Sequence, residues 1–257
     1  MSHSNANAVA NPANAPSERF FGSVGIGPGM RVLDVGCGDG ELSRFVAALT
    51  GLDGEIIAID RSETALAMAR SKAVDRSVAN IEYRLADLST ALSELGTFDA
   101  VVGRRVLMYL PNVKDVLSRL REMTRGGGVL GFQEHARAGL PRGLSDLPVH
   151  RLIHNWVWDT IVAEGGDDRL GLRLEGILRE CGLAPEQITS EAILLQENDP
   201  SFIPQLARLM LPRMAEQGIV DRDAVDPDRL AEQIEHERRA VGGTIVWDMA
   251  FLVSARR

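Results

Sequence analysis

Val32-Leu33-Asp34-Val35-Gly36-Cys37-Gly38-Asp39-Gly40 joins a short apolar run to a glycine-rich loop, and a helical pattern follows at once. Arg31–Val35 reads as a strand, and Glu41–Thr50 carries Leu42, Phe45, Val46 and Leu49 at helical spacing. The same alternation continues downstream. Glu55–Ile59 is a buried-type strand ending at Asp60, and Ser62 is a good N-cap for a helix to about Ala73, with Thr64 in its first full turn. Ile81–Leu85 makes a third strand with Asp87 just beyond it, and Ala100–Val102 a fourth that leads into Gly103-Arg104-Arg105. Pro111 or Asn112 opens a helix to about Arg125, broken by Gly126-Gly127-Gly128. Val129–Gln133 is a fifth strand, with Glu134 and His135 at its end. Strands and helices in this order imply an α/β fold, a doubly wound parallel sheet covered on both faces. Ligands of such sheets bind outside the carboxyl ends of the strands, so the residues at those ends form the functional shortlist.

Composition narrows the classes. The chain has 257 residues, 45% hydrophobic and 25% charged, as in ordinary soluble globular proteins. No window approaches the ~18 uninterrupted apolar residues of a membrane span. The net charge of −8 argues against attraction to phosphate backbones or anionic lipid. Cys37 and Cys181 are the only cysteines, which excludes a disulfide framework and a four-cysteine zinc site and suits a reducing cytoplasm. Residues 1–17, rich in Asn, Ala, Ser and Pro, read as a disordered tail without a secretory start. Phe20 and Phe21 beside it read as an anchor onto the core.

The glycine loop is specific in its chemistry. The dinucleotide version, G-x-G-x-x-G, would place its third glycine at Glu41, whereas this chain reads G-x-G-x-G. Asp34, Asp39 and Glu41 crowd the loop, and such acidity opposes a pyrophosphate at a helix start. A ligand with positive charge and no phosphate fits better, and S-adenosylmethionine, with its adenosine, sulfonium and ammonium groups, meets that description. The bland reading is a tight turn with no ligand. Asp60, 20 residues after Gly40, can accept both ribose hydroxyls, or else simply cap a turn. Its neighbour Arg61 belongs to the same candidate set. Asp87 can accept from an adenine amino group while the Leu88 N–H serves a ring nitrogen; the alternative is a plain turn aspartate.

These residues carry a resemblance. Val32–Gly40 resembles the first motif of the class I S-adenosylmethionine-dependent methyltransferases, and Ile59-Asp60, Ala86-Asp87 and Gly126-Gly127-Gly128 match later motifs in the right order. The stretch Val101–Pro111 is similar to the small-molecule, ubiquinone and menaquinone methyltransferase-like group. The resemblance covers roughly residues 28–135. It implies a Rossmann-like, seven-stranded sheet with the last strand antiparallel; Ile188–Leu195 suits the sixth strand and Thr244–Ala255 the seventh. It assigns cofactor contacts to Asp34, Gly36, Gly38, Gly40, Asp60, Asp87 and Leu88, with Arg104 placed to meet the methionine carboxylate. The expected organisation is one domain over 18–257: a core at 28–145, strands near 187–195 and 243–256, and helical segments at 146–182 and 200–241 that form a substrate lid.

The family's nucleic-acid amino methylases carry Asn or Asp followed by Pro-Pro-Tyr or Phe after the fourth strand. Here Gly103-Arg104-Arg105-Val106 stands instead, so nucleic acid is an unexpected partner and a small organic molecule the expected one. His150–Val162 reads as a helix with His150, His154, Trp156 and Trp158, and Leu172–Glu180 as another. Leu206, Leu209, Met210, Leu211 and Met214 mark a helical insert, which suits an apolar or aromatic acceptor or simply packs helix on helix. His135, His150 and His154 could bind a metal, but no neighbouring carboxylate is clearly placed, and the reading is that no metal is held. Tyr109 reads as a capping aromatic rather than a catalytic phenol; with His154 and Trp158 it is assigned to the substrate side. His135, at a strand end, is the candidate general base. The expected function is methyl transfer from S-adenosylmethionine to O, N or C of a small molecule, giving S-adenosylhomocysteine, by a cytoplasmic monomer or homodimer. The alternative is a same-fold cofactor-binding protein serving as a non-methylating cyclase or a partner subunit.

Overall fold

A computed structural model of the chain describes residues 14–75, 78–90, 92–196 and 201–257. Seven strands run β1 (Arg31–Val35), β2 (Glu55–Asp60), β3 (Ile81–Leu85), β4 (Phe98–Arg104), β5 (Thr124–His135), β6 (Ala184–Leu195) and β7 (Ile245–Arg256). They form one sheet in the order β3-β2-β1-β4-β5-β7-β6. β1 pairs in parallel with both β2 and β4, and β7 lies antiparallel on β5. The chain winds outward from β1 in one direction and then, from β4, in the other. That reversal leaves a crevice at the carboxyl ends of β1 and β4, where open α/β sheets bind ligands. Val32, Leu33, Val35, Ile56, Ile57, Ile59, Val101 and Val102 are buried, as expected of strands covered on both faces.

The helices are α1 (Ala15–Phe21), α2 (Glu41–Thr50), α3 (Glu63–Asp75), α4 (Val113–Met123), α5 (Pro148–Ala163), α6 (Leu170–Glu180), α7 (Ile203–Glu216) and α8 (Pro227–Val241). Ser62 Oγ accepts the Ala65 N–H at 3.2 Å, the capping role its position predicts. α4 buries Val113, Val116, Leu117, Leu120 and Met123, the a-and-d-like stripe of a surface helix.

Two expectations need correction. β5 starts at Thr124 and runs through the glycines instead of starting at Val129, so α4 ends at Met123 rather than near Arg125. The glycines permit this: a Cβ on Gly128 would lie 2.8 Å from the Asp99 carbonyl oxygen. The second concerns the tail. Residues 15–17 belong to α1, whose Ser17, Phe20 and Phe21 are buried, and a Cβ on Gly131 of β5 would meet Phe21 at 3.3 Å. Residues 1–13 of the expected tail lie outside the described residues.

The chain divides into two compact units. A sheet unit comprises Pro16–Arg137, Glu164–Glu191 and Met249–Arg257; a helical unit comprises Ala138–Ala163 and Ala192–Asp248. Among the described residues no helix is long and apolar enough to cross a membrane.

Candidate active site

β1 feeds directly into the glycine loop, and its glycines are needed for different reasons. Gly36, Gly38 and Gly40 have φ of 64°, 55° and 75°, a region glycine enters without steric cost. Gly36 and Gly40 also lack room, since a Cβ would lie 2.3 Å from Val106 Cγ2 at the first and 2.6 Å from the Tyr83 hydroxyl at the second. A Cβ on Gly38 would meet nothing within 4 Å. Backbone is exposed to open space at that point, as a ligand lying along the loop requires.

Hydrogen bonds fix the loop to its neighbours. Cys37 N–H donates to Ile59 O at 2.9 Å, and Gly38 N–H donates to Asp60 Oδ2 at 2.9 Å. Asp60 Oδ1 accepts the Ser62 N–H at 2.9 Å. Asp60 therefore does hold a turn, but each carboxylate oxygen keeps a second lone pair with which to meet a hydroxyl. Asp34 is buried; its Oδ2 accepts the Ser43 hydroxyl at 2.5 Å, and its Oδ1 has no partner. Burial pushes Asp34 up to about 7, against the Ser43 bond and the Arg104 charge. An unmet buried acceptor costs about 1–3 kcal/mol, which a ligand bringing a donor would recover. Burial, with Asp34 and Asp60 nearby, also pushes the Cys37 thiol up, so it stays unreactive.

The acidity of the loop is partly neutralised within the fold. Asp39 pairs with Lys72, and Glu41 pairs with Arg104 at 2.9 Å. The three loop carboxylates are therefore not three free charges. The case against a pyrophosphate therefore rests on Asp60, whose carboxylate holds the loop at Gly38. Arg104, the last residue of β4, spends one nitrogen on Glu41 and places another 3.5 Å from Ser17 Oγ. Asp87 Oδ1 accepts the Ser89 N–H at 2.8 Å, and that bond with the Ser89 hydroxyl, Arg61 and Arg119 holds its carboxyl below the usual range. Leu88 is buried, its carbonyl accepting from Arg119 at 2.6 Å.

β5 delivers Gln133, Glu134 and His135, all buried, to the same edge of the sheet. Glu134 accepts the N–H groups of Val106, Leu107 and Met108 at 3.2, 2.9 and 3.2 Å, capping the short 3-10 turn Leu107–Tyr109 that carries Tyr109. Burial pushes its carboxyl up to about 7 despite those bonds. Arg105 sits at φ 56°, strained for a side-chain-bearing residue, with its N–H on Gln133 O at 2.8 Å. Sequence reasoning missed the Glu134 clamp, and an acidic residue beside the candidate base was its only trace. His135 Nε2 lies 3.4 Å from Gln133 Nε2.

The helical unit holds the other histidines. His150 Nδ1 is 2.6 Å from Glu237 Oε2, and Glu237 also accepts the N–H groups of Val149 and His150, both at 2.9 Å. His154 Nε2 accepts from Trp158 Nε1 at 3.2 Å and lies 3.6 Å from Asp248 Oδ1. Carboxylates thus do stand by both histidines, supplied from α8 and β7. Trp158 is 1% exposed and its N–H is spent inside α5. Among the described residues no group of three or more His, Cys, Asp or Glu side chains is arranged to hold a metal.

A seven-stranded sheet in this order, with an open glycine at the switch point and acids after β2 and β3, defines a nucleoside-binding α/β protein. Residues 26–168 match the family described as a methyltransferase domain. The chain belongs to that family, the class I S-adenosylmethionine-dependent methyltransferases. It is 27% identical over 212 residues to an uncharacterized 37.1 kDa protein in transposon Tn4556 of Streptomyces fradiae, a match covering 78% of this chain and 59% of that protein. A ubiquinone/menaquinone biosynthesis C-methyltransferase of Ectopseudomonas mendocina is 30% identical over 118 residues, 46% of each chain. A ubiquinone biosynthesis O-methyltransferase of Acinetobacter baylyi is 28% identical over 177 residues, 61% of this chain and 72% of that one. The chain thus spans about half the length of the first two relatives. Among solved structures, a putative methyltransferase of Bacillus halodurans shares the fold at a TM-score of 0.60 and 16% identity, over 94% of this chain and 97% of that one. The [4+2]-cyclase SpnF shares it at 0.54 and 21%, over 90% and 76%.

Proposed function

We propose that the chain transfers a methyl group from S-adenosylmethionine to an O, N or C nucleophile of a small organic molecule, leaving S-adenosylhomocysteine. The observation that carries this reading is the open backbone at Gly38, whose N–H is held by Asp60, in the loop that follows β1 with its unpartnered Asp34 oxygen. Relatives named as O- and C-methyltransferases of ubiquinone and menaquinone biosynthesis support the small-molecule class. When bound, the cofactor supplies a methyl on a positively charged sulfur. Gly36, Gly38 and Gly40 shape the cradle; Asp60 takes the ribose hydroxyls and Arg61 the surface beside them. Asp87 and the Leu88 N–H read the adenine, while Asp34 and Arg104 serve the amino-acid end. The protein's contribution is alignment and exclusion of water. His135 receives the proton of a hydroxyl or acidic carbon as it attacks. Tyr109 is assigned to the acceptor, as are His154 and Trp158 of the helical unit. A cytoplasmic place, a small-molecule partner, no resident metal and a monomer or homodimer complete the proposal.

Calorimetry tests the cofactor: S-adenosylhomocysteine binds in the micromolar range and NAD does not. Tight NAD binding would overturn the reading. Transfer of labelled methyl across a panel of phenols, amines and acidic carbon compounds tests the chemistry, and binding without transfer to any would favour a cyclase-like role. With an acceptor in hand, His135→Asn is expected to lower turnover by about 100-fold or more while cofactor binding stays intact.

A further inference from the structure

A directed chain of polar contacts runs from Arg104, at the end of β4, through Ser17 and Gln133 to the candidate base. Arg104 Nη1 lies 3.5 Å from Ser17 Oγ, the Ser17 hydroxyl donates to Gln133 Oε1, and Gln133 Nε2 lies 3.4 Å from His135 Nε2. Ser17, Gln133 and His135 are all buried. The direction of the chain follows from its one close link, the Ser17 hydroxyl donating to Gln133 Oε1. A guanidinium can only donate, so the long Arg104 contact offers the same Ser17 oxygen a weak donor and no acceptor. The buried Ser17 proton then needs an acceptor, and leaving it unmet would cost the full desolvation of the group. Gln133 Oε1 meets that need. With its oxygen engaged at Ser17, the Gln133 amide turns its NH2 toward His135, and an NH2 group only donates. The imidazole nitrogen it faces must therefore offer a lone pair.

We infer that Ser17 and Gln133 are positioning residues that hold neutral His135 in the Nδ1–H tautomer, with the basic lone pair on Nε2. The Gln133 amide contact on that lone pair is a long one, 3.4 Å. An incoming hydroxyl or acidic C–H of the acceptor can take the place of the amide, and the proton-accepting nitrogen is then already the correct one. The chain also ties that choice to α1 and to Arg104, so the base is set only when the start of the fold is docked. The bearing on catalysis rests on the proposed role of His135; the tautomer does not.

Two-bond proton–nitrogen correlation spectra of the full chain, labelled with nitrogen-15, test it at a pH where the ring is neutral. The His135 signals are identified by their loss in His135→Asn. The wild type is expected to show a pyridine-type Nε2 and a pyrrole-type Nδ1. Gln133→Glu, of nearly the same shape, replaces the donor by an acceptor and is expected to abolish the pyridine-type Nε2 signal by drawing a proton onto it. Ser17→Ala frees the amide to turn and is expected to give a mixture of tautomers; it decides the matter should Gln133→Glu fail to fold. A proton on Nε2 in the wild type overturns the inference, and so does a pattern that Ser17→Ala leaves unchanged. Normal turnover in His135→Asn would instead remove the base and leave the tautomer standing, so the two ideas fail separately.

Discussion

Gly38 and Asp60 show how much one residue can carry in this loop. A Cβ on Gly38 would meet no atom of the protein, and its φ of 55° is the only internal objection to a side chain. Gly38→Ala is therefore expected to fold with a loss of about 1–2 kcal/mol for the left-handed conformation, and to lose S-adenosylhomocysteine affinity about 10-fold or more because the methyl occupies ligand space. Gly36→Ala must also push Val106 aside from 2.3 Å, so urea denaturation should find it the less stable of the two. Gly38→Ala with unchanged affinity would mean that nothing lies along the loop. Asp60 holds the turn of the loop, and the proposed ribose contact adds a second duty that sequence reasoning treats as an alternative to the first. Asp60→Ala deletes acceptors for Gly38 and Ser62 and is expected to cost about 1.5–3 kcal/mol in the free protein. It should also weaken cofactor binding about 10-fold, a further 1.4 kcal/mol. A stability loss without an affinity loss in calorimetry would reduce Asp60 to a turn residue.

Elements here begin and end on contacts from distant parts of the chain. α5 starts at Pro148, and its first N–H groups are met by Glu237 from α8, 88 positions from Val149. A carboxylate at a helix start satisfies orphan donors and the helix dipole together. The same side chain holds His150 Nδ1. Glu237→Ala is expected to destabilise by about 1.5–3 kcal/mol, the range for hydrogen bonds to a charged group. Glu237→Gln, which keeps an acceptor, should lose less. Hydrogen exchange locates the effect: the amides of Val149 and His150 should lose protection first. Equal exchange there in Glu237→Ala and wild type would show that α5 does not depend on its cap. Glu134 plays the corresponding part for the turn Leu107–Tyr109. Neither cap could be read locally, since S/T/D/N capping signals lie beside the helix they serve and these two do not.

For the whole molecule, buried carboxyls set how stability follows pH. Asp34 and Glu134 are pushed by burial to about 7, from ordinary values of 3.8 and 4.5. Between those limits the folded chain keeps protons that the unfolded chain has released, so stability falls as pH rises from about 4.5 through 7. Against their burial, Lys72 holds Asp39 below 3.8 and the Arg31 N–H with Arg125 holds Asp99 below it, so both act at lower pH and leave this window alone. The urea midpoint of the ligand-free protein is expected to be higher at pH 5.5 than at pH 8. Glu134→Gln and Asp34→Asn should each flatten the difference. A midpoint that climbs across the same window in the wild type would show that neither carboxyl holds its proton.

The α/β class, the parallel order of the first five strands, the glycine cradle and the acids after β2 and β3 were all legible in the sequence, because each is a local pattern. Strand and helix periodicity, a positive-φ turn and a strand-end carboxylate lie within a few residues of one another. Tertiary structure alone decided what those groups do once folded. Only it paired Asp39 with Lys72 and Glu41 with Arg104, turning an acidic loop into a nearly balanced one. Only it brought Ser17 to Gln133, 116 positions away, and Glu237 to His150, 87 away. Ionic and hydrogen-bonded pairs of that kind depend on which buried faces meet, and burial of apolar surface, which is non-directional, brings the faces together without naming the polar partners in advance.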